Sequence, residues 1–123
     1  MAQNATILVI DDDEMNRELL GAVLTRSGYR MAEAASGKKA LAAIAQQPPQ
    51  LVLLDVRLGD MDGYEVCAQI KSNPATQAIP VIIFTGYETD TERQHALQAG
   101  ADDFISRMAG WQKIVERIQQ LLG

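Results

Sequence analysis

Three segments of the chain are apolar at every position: residues 7–10, 51–54 and 81–84. They are built from Ile, Leu, Val and one Phe with no polar alternation, the pattern of strands covered on both faces. Two weaker stretches, 29–34 and 103–106, complete a set of five. Between them apolar residues recur at helical spacing. Met15, Leu19, Leu20, Val23 and Leu24 form one stripe, with Gly28 placed to stop the helix. A second helix fits 37–45, with Ser36 as N-cap and Pro48-Pro49 beyond its end. Asp62 is placed to cap a third, carrying Tyr64, Val66, Cys67 and Ile70 and stopping before Asn73-Pro74. Thr89 or Asp90 opens a fourth that ends near Gly100, and a fifth carries Trp111, Ile114, Val115, Ile118, Leu121 and Leu122 on one face.

Strand and helix alternate five times, which predicts an α/β fold: a (βα)5 three-layer sandwich with right-handed crossovers and helices on both faces of a parallel sheet. In the flavodoxin-like strand order 2-1-3-4-5 the direction of winding reverses between strands one and three, and the ligand site of such sheets lies beyond the C-terminal strand ends there. The residues at those ends are therefore the informative ones. Strand one runs into Asp11, Asp12 and Asp13, strand three into Asp55, and strand four into Thr85. Asp11, Asp12 and Asp55 are expected to converge.

Composition narrows the field. At 123 residues and 47% hydrophobic, the chain is long enough to bury roughly 65–70% of its unfolded surface, and residues 1–123 read as one domain. A tail-less final helix also suits one module of a longer protein. A formal charge of -5 argues against direct nucleic-acid binding. No stretch approaches the roughly 20 apolar residues of a membrane helix and no leader pattern is visible, so a cytoplasmic location and no membrane contact are expected. The single cysteine, Cys67, excludes an internal disulfide and falls among core positions.

The run Asp11-Asp12-Asp13-Glu14 alone suits a solvated acidic loop opening a helix, where the dipole favours negative charge. Asp55, ending a second buried strand at the same edge, changes that. Two unit charges about 4 Å apart repel by roughly 4 kcal/mol at an effective dielectric near 20, so the cluster calls for a cation or a proton. A hard divalent ion with oxygen ligands, Mg²⁺, is the natural partner. Thr85 offers a hydroxyl, Gly86 leaves room for a ligand, and Arg107 adds a permanent charge after the last strand. Together they suit a bound phosphate.

Four segments carry a family resemblance: ILVIDDDEMNRELL, LVLLDVRLGDMDGYEV, IPVIIFTGYE and AGADDFISR. Over essentially its whole length the chain resembles a receiver domain of the two-component response regulators. By that resemblance Asp55 is the phosphoacceptor, and Asp12 binds Mg²⁺ directly while Asp11 acts through metal-bound water. The backbone carbonyl of Arg57 is a further metal ligand, Thr85 the switch hydroxyl, and Phe104 the aromatic switch. The implied partners are a histidine kinase or histidine phosphotransfer protein and an unidentified downstream target or output domain. The implied output surface is the fourth helix, fifth strand and fifth helix; a homodimer through it is left open. Such a chain is a signalling phosphoacceptor rather than an enzyme, catalysing only its own phosphorylation and dephosphorylation.

The sequence departs from the family pattern where lysine-proline usually follows the fifth strand: here the pair is Arg107-Met108. Guanidinium is wider and planar, so it either forks on phosphate or turns to solvent. Without proline, a trans bond and a reshaped loop over 108–110 are expected. Gly59 stands where proline is common, predicting a looser loop after Asp55. Three rivals remain. One is a degenerate receiver serving as a phosphorylation-independent interaction module, with Arg107 bridged to Asp55. Another is an aspartate-nucleophile phosphatase, which needs a second acid where Arg57 stands. The third is calcium binding by Asp60-Met61-Asp62-Gly63, which lacks the twelve-position ligand pattern. His95 has no zinc-ligand partners and reads as a surface or half-buried helix residue.

Overall fold

The computed structural model describes residues 4–86 and 89–122. Its elements run β1 (Thr6–Ile10), α1 (Glu14–Arg26), β2 (Arg30–Ala34), α2 (Gly37–Gln46), β3 (Leu51–Leu54) and α3 (Gly63–Ser72). There follow β4 (Val81–Thr85), α4 (Asp90–Gln98), β5 (Asp103–Ser106), a 3₁₀ turn (Arg107–Ala109) and α5 (Trp111–Leu122). All strand pairs are parallel and the order is β2-β1-β3-β4-β5. Both match the expectation from the alternating pattern.

Alternate residues of the strands feed two cores. Leu8 and Ile10 of β1, with Val52 and Leu54 of β3, pack under α2, α3 and α4 through Ala40, Ile44, Val66, Cys67, Ile70 and Ala96. Ile7, Val9, Leu51 and Leu53 face the other way, onto Leu20 and Leu24 of α1 and Ile114 and Ile118 of α5. Full burial of Ile114 and Ile118 is worth about 1.5–3 kcal/mol each. The fully apolar strands are thus explained by cover on both sides.

Side chains set the helix ends. Asp13 accepts from the Met15 amide, Ser36 from Lys39, Asp62 from Tyr64 and Thr89 from Glu92, so each of the first four helices has an oxygen N-cap. Of the two candidates for α4, Thr89 is the cap. Gly28 and Gly100 lie just past α1 and α4 with φ of 94° and 88°, the left-handed stop. The proposed α1 stripe is only partly correct. Leu20 and Leu24 are buried, but Met15 and Leu19 are 67% and 47% exposed. The 3.6-residue period rotates them off the face that meets the sheet.

Candidate functional site

Backbone register gathers the acidic residues. The Asp11 amide donates to Ala34 O at 3.2 Å and the Asp55 amide to Ile10 O at 2.9 Å, so both residues prolong their strands by one ladder position at the same edge. One carboxylate oxygen from each of Asp11, Asp12 and Asp55 falls within 4.8 Å of the others. Asp11 and Asp55 are 2% and 8% exposed, while Asp12 faces solvent. The three line an open cleft with Asp13, Asn16, Arg57, Gly86 and Arg107. The expected convergence is present, and an all-oxygen, mostly anionic donor set fits a hard divalent cation.

Arg107 reaches into this cluster. Its Nη2 donates to Asp11 Oδ2 at 2.6 Å and lies 3.3 Å from Asp55 Oδ2, while the guanidinium carbon sits 5.7 Å from the centre of the Phe84 ring. Its Nε is buried without a hydrogen-bond partner among the described residues. Its seat is a bridge between two carboxylates rather than solvent. No cis peptide occurs among the described residues, so Arg107-Met108 is trans. The following loop is a 3₁₀ turn whose start is capped by Ser106 Oγ accepting from Met108 N at 3.1 Å.

Burial is the chief influence on the Asp55 carboxyl and pushes its pKa up to about 6. The nearby Arg107 charge pulls it down, Asp11 pushes it up, and hydrogen bonds from the backbone at Arg57 and Val56 pull it down. Such a group titrates close to the working range of a nucleophile or ligand.

The other candidates sit less directly. Thr85 ends β4, paired with Ser106, but is fully buried and off the wall of the cleft. Gly86 lines the cleft, and a Cβ there would meet nothing within 4 Å, so the room belongs to the cleft and not to the missing side chain. Phe104 is 9% exposed, packed in the α2–α3–α4 core, with the Arg93 guanidinium carbon 4.9 Å over its ring.

The loop after Asp55 is tied down rather than loosened. Gly59 has φ +85°, a conformation closed to proline, and Arg57 and Asp62 form an antiparallel bridge. Asp60 accepts from the Gly37 and Lys38 amides at 3.0 and 3.1 Å, which holds the loop on the N-terminus of α2 and keeps the Asp60 pKa below its usual value. With Asp60 on α2 and Asp62 capping α3, these acids are occupied as caps, unlike an EF-hand loop.

One cluster escaped the sequence. The Tyr64 hydroxyl donates to Glu92, whose carbonyl lies 3.2 Å away and whose carboxylate is also in reach; Arg57 Nη2 approaches the same carboxylate at 3.9 Å, and His95 meets the Tyr64 ring edge-on. These contacts join the loop after Asp55 to α3 and α4. Tyr64 and Glu92 are 28 residues apart, and neither shows an unusual pattern in the chain. His95 is exposed on α4, as expected.

The sequence and fold agree with known proteins. The family model for the response regulator receiver domain matches residues 7–119. The response regulator PleD of Caulobacter vibrioides is 38% identical over 118 residues, covering 96% of this chain and 26% of PleD. The transcriptional regulatory protein AfsQ1 of Streptomyces coelicolor is 37% identical, covering 95% of this chain and 51% of AfsQ1, so this chain spans about a quarter to a half of these relatives. Among solved structures, the receiver domain of a signal transduction histidine kinase from Syntrophus aciditrophicus superposes with a TM-score of 0.90 at 30% identity, covering 96% of this chain and 89% of that one. The Mn²⁺-bound form of response regulator Rcp1 gives 0.81 at 25% identity, covering 95% and 91%. With the family model spanning nearly all of the sequence and the acidic cleft at the expected sheet edge, this chain belongs to the response regulator receiver domain family.

Proposed function

We propose that this receiver domain accepts a phosphoryl group on Asp55 from a phosphohistidine of a histidine kinase or histidine phosphotransfer protein. The observation that carries this reading is the gathering of Asp11, Asp12 and Asp55 within 4.8 Å at the switch point of the sheet, with Arg107 beside Asp55. Asp12, Asp55, the Arg57 backbone carbonyl and, through water, Asp11 are the residues that would hold a divalent cation, Mg²⁺. When bound it neutralises the charge of the carboxylates and of the incoming phosphoryl oxygens. That the related Rcp1 has an Mn²⁺-bound form supports the assignment.

Chemically, an Asp55 carboxylate oxygen attacks phosphorus in line, and the bond from phosphorus to the donor imidazole breaks, its electron pair leaving with the ring nitrogen. Arg107 and the Gly86 backbone face the equatorial oxygens. Thr85 follows the new dianion by a movement of the β4 end, and Phe104 follows Thr85, shifting the surface of α4, β5 and α5. Residues 1–123 act as one receiver module, coupled to an output domain or a separate target. Arg57 stands where a phosphatase needs its second acid and cannot protonate a leaving group, which favours the phosphoacceptor over that enzyme.

Incubation with Mg²⁺ and acetyl phosphate, read by intact mass, tests the reading. The wild type gains one phosphoryl group and Asp55→Asn gains none. Labelling of Asp55→Asn at the wild-type level would reject Asp55 as acceptor. An unlabelled wild type, beside a receiver that reacts in parallel, would favour the second reading, a phosphorylation-independent interaction module. The Arg107 bridge to Asp11 and Asp55, which already neutralises the site, is the observation on its side.

A further inference from the structure

We propose that Arg107 is a tethered rival of the divalent cation and its bound water for the Asp11 carboxylate, so that metal enters this receiver by displacing the guanidinium. The inference rests on the receiver reading and specifies how its metal site is controlled.

Asp11 has no uncommitted oxygen. Its Oδ1 accepts from the Asp13 amide at 2.9 Å and its Oδ2 from Arg107 Nη2 at 2.6 Å. The first bond belongs to the turn that starts α1, so the backbone holds it. The second is made by a side chain that can leave. The same Nη2 stands 3.3 Å from Asp55 Oδ2, so one cation spans two of the three carboxylates that form the donor cluster. With the Asp11 side chain 3% exposed, this is no solvated surface pair, and water screens it little.

The seat is also imperfect. Among the described residues Arg107 Nε is buried without a hydrogen-bond partner, so docking the guanidinium costs one donor its hydration. Phe84 supports the charge from one side, with the guanidinium carbon 5.7 Å from its ring centre. The arrangement is strong enough to compete and incomplete enough to be displaced by a doubly charged ion that also recruits solvent-facing Asp12. Once displaced, the guanidinium offers Nε and both terminal nitrogens to a phosphoryl group. Metal affinity and Arg107 docking are therefore opposed through Asp11, and each weakens the other by the same factor.

Titration of the full chain with MgCl₂ and MnCl₂ tests this without any phosphodonor. It is followed by Trp111 fluorescence and by the metal-induced rise in melting temperature. Trp111 packs 5.9 Å from the Phe84 ring and so reports on this corner. Arg107→Ala and Arg107→Gln are each expected to bind both ions at least roughly 10-fold more tightly than wild type. The gain persists in about 1 M KCl, where the Debye length of about 3 Å removes long-range charge effects but not a direct contact. Arg107→Gln carries the test if the alanine variant fails to fold. Equal or weaker binding by the folded variants overturns the proposal, and so does a gain that disappears in salt. If wild type and variants all bind neither ion, the metal assignment itself falls with it, whereas equal binding overturns the rivalry alone.

Discussion

Asp55 Oδ2 lies 3.3 Å from Arg107 Nη2, yet burial outweighs that favourable charge and raises the carboxyl to about 6 from an ordinary 3.8. Between those two pH values the unfolded chain has released a proton that the folded chain still holds. The contribution of this group is thus complete below the unfolded pKa and is lost as pH rises through the folded one. In EDTA, Asp55→Asn is expected to be more stable than wild type by about 2–3 kcal/mol near neutral pH. The difference shrinks to nothing below about pH 4. Urea unfolding across that range checks it, and a gain that grows with acidity would refute it.

The bond from Tyr64 to Glu92 ties α3 to α4. Tyr64→Phe keeps the ring and its contact with His95 but removes the hydroxyl that Glu92 accepts from. A cost of about 1–2 kcal/mol is expected in urea unfolding. Faster amide exchange confined to α4 should accompany it, and unchanged protection there would show that the bond does not hold the helix.

Gly63 and Gly86 flank the site with opposite demands. A Cβ on Gly63 would lie 2.4 Å from Asp55 O and 2.5 Å from Val56 Cα, against the backbone that holds Asp55, whereas one on Gly86 meets nothing within 4 Å. Gly63→Ala is expected to cost about 2–3 kcal/mol or more and to weaken Mg²⁺ binding. Gly86→Ala should stay within about 0.5 kcal/mol. Comparable midpoints for the two variants in thermal unfolding would contradict this.

Leu24 is fully buried on α1, while Met15 and Leu19 face outward on the same helix. Leu24→Ala is expected to cost about 2–5 kcal/mol. Met15→Ala and Leu19→Ala should each change stability by about 0.5 kcal/mol or less, read from urea midpoints. A large loss at Met15 or Leu19 would mean that α1 packs on another face.

What was legible in the chain is what local pattern encodes. Residues 7–10, 51–54 and 81–84 announced buried parallel strands because crossover helices cover both their faces. The topology then fixed which strand ends meet, so Asp11, Asp12 and Asp55 could be grouped from far-apart positions. Caps such as Ser36 and Asp62 were readable because the capping oxygen lies next to its helix. The rest depends on contacts between distant segments. Met15 and Leu19 carry the composition of a core stripe, and only docking of α1 shows them exposed. Nothing local in the chain pairs Asp60 with α2; only the fold brings the Gly37 and Lys38 amides to it. Arg107 could be placed at the right edge, but its choice of Asp11 over solvent is decided by local packing around Phe84 and the 3₁₀ turn.

Position 55 is the proposed carrier of the phosphoryl group. Borohydride reduction after reaction with acetyl phosphate and Mg²⁺ converts an acyl phosphate of aspartate to homoserine, which peptide mass spectrometry locates. Homoserine at position 55, absent when Mg²⁺ is withheld, is the predicted result. Homoserine at Asp11, Asp12 or Asp13, with residue 55 intact, would contradict the account.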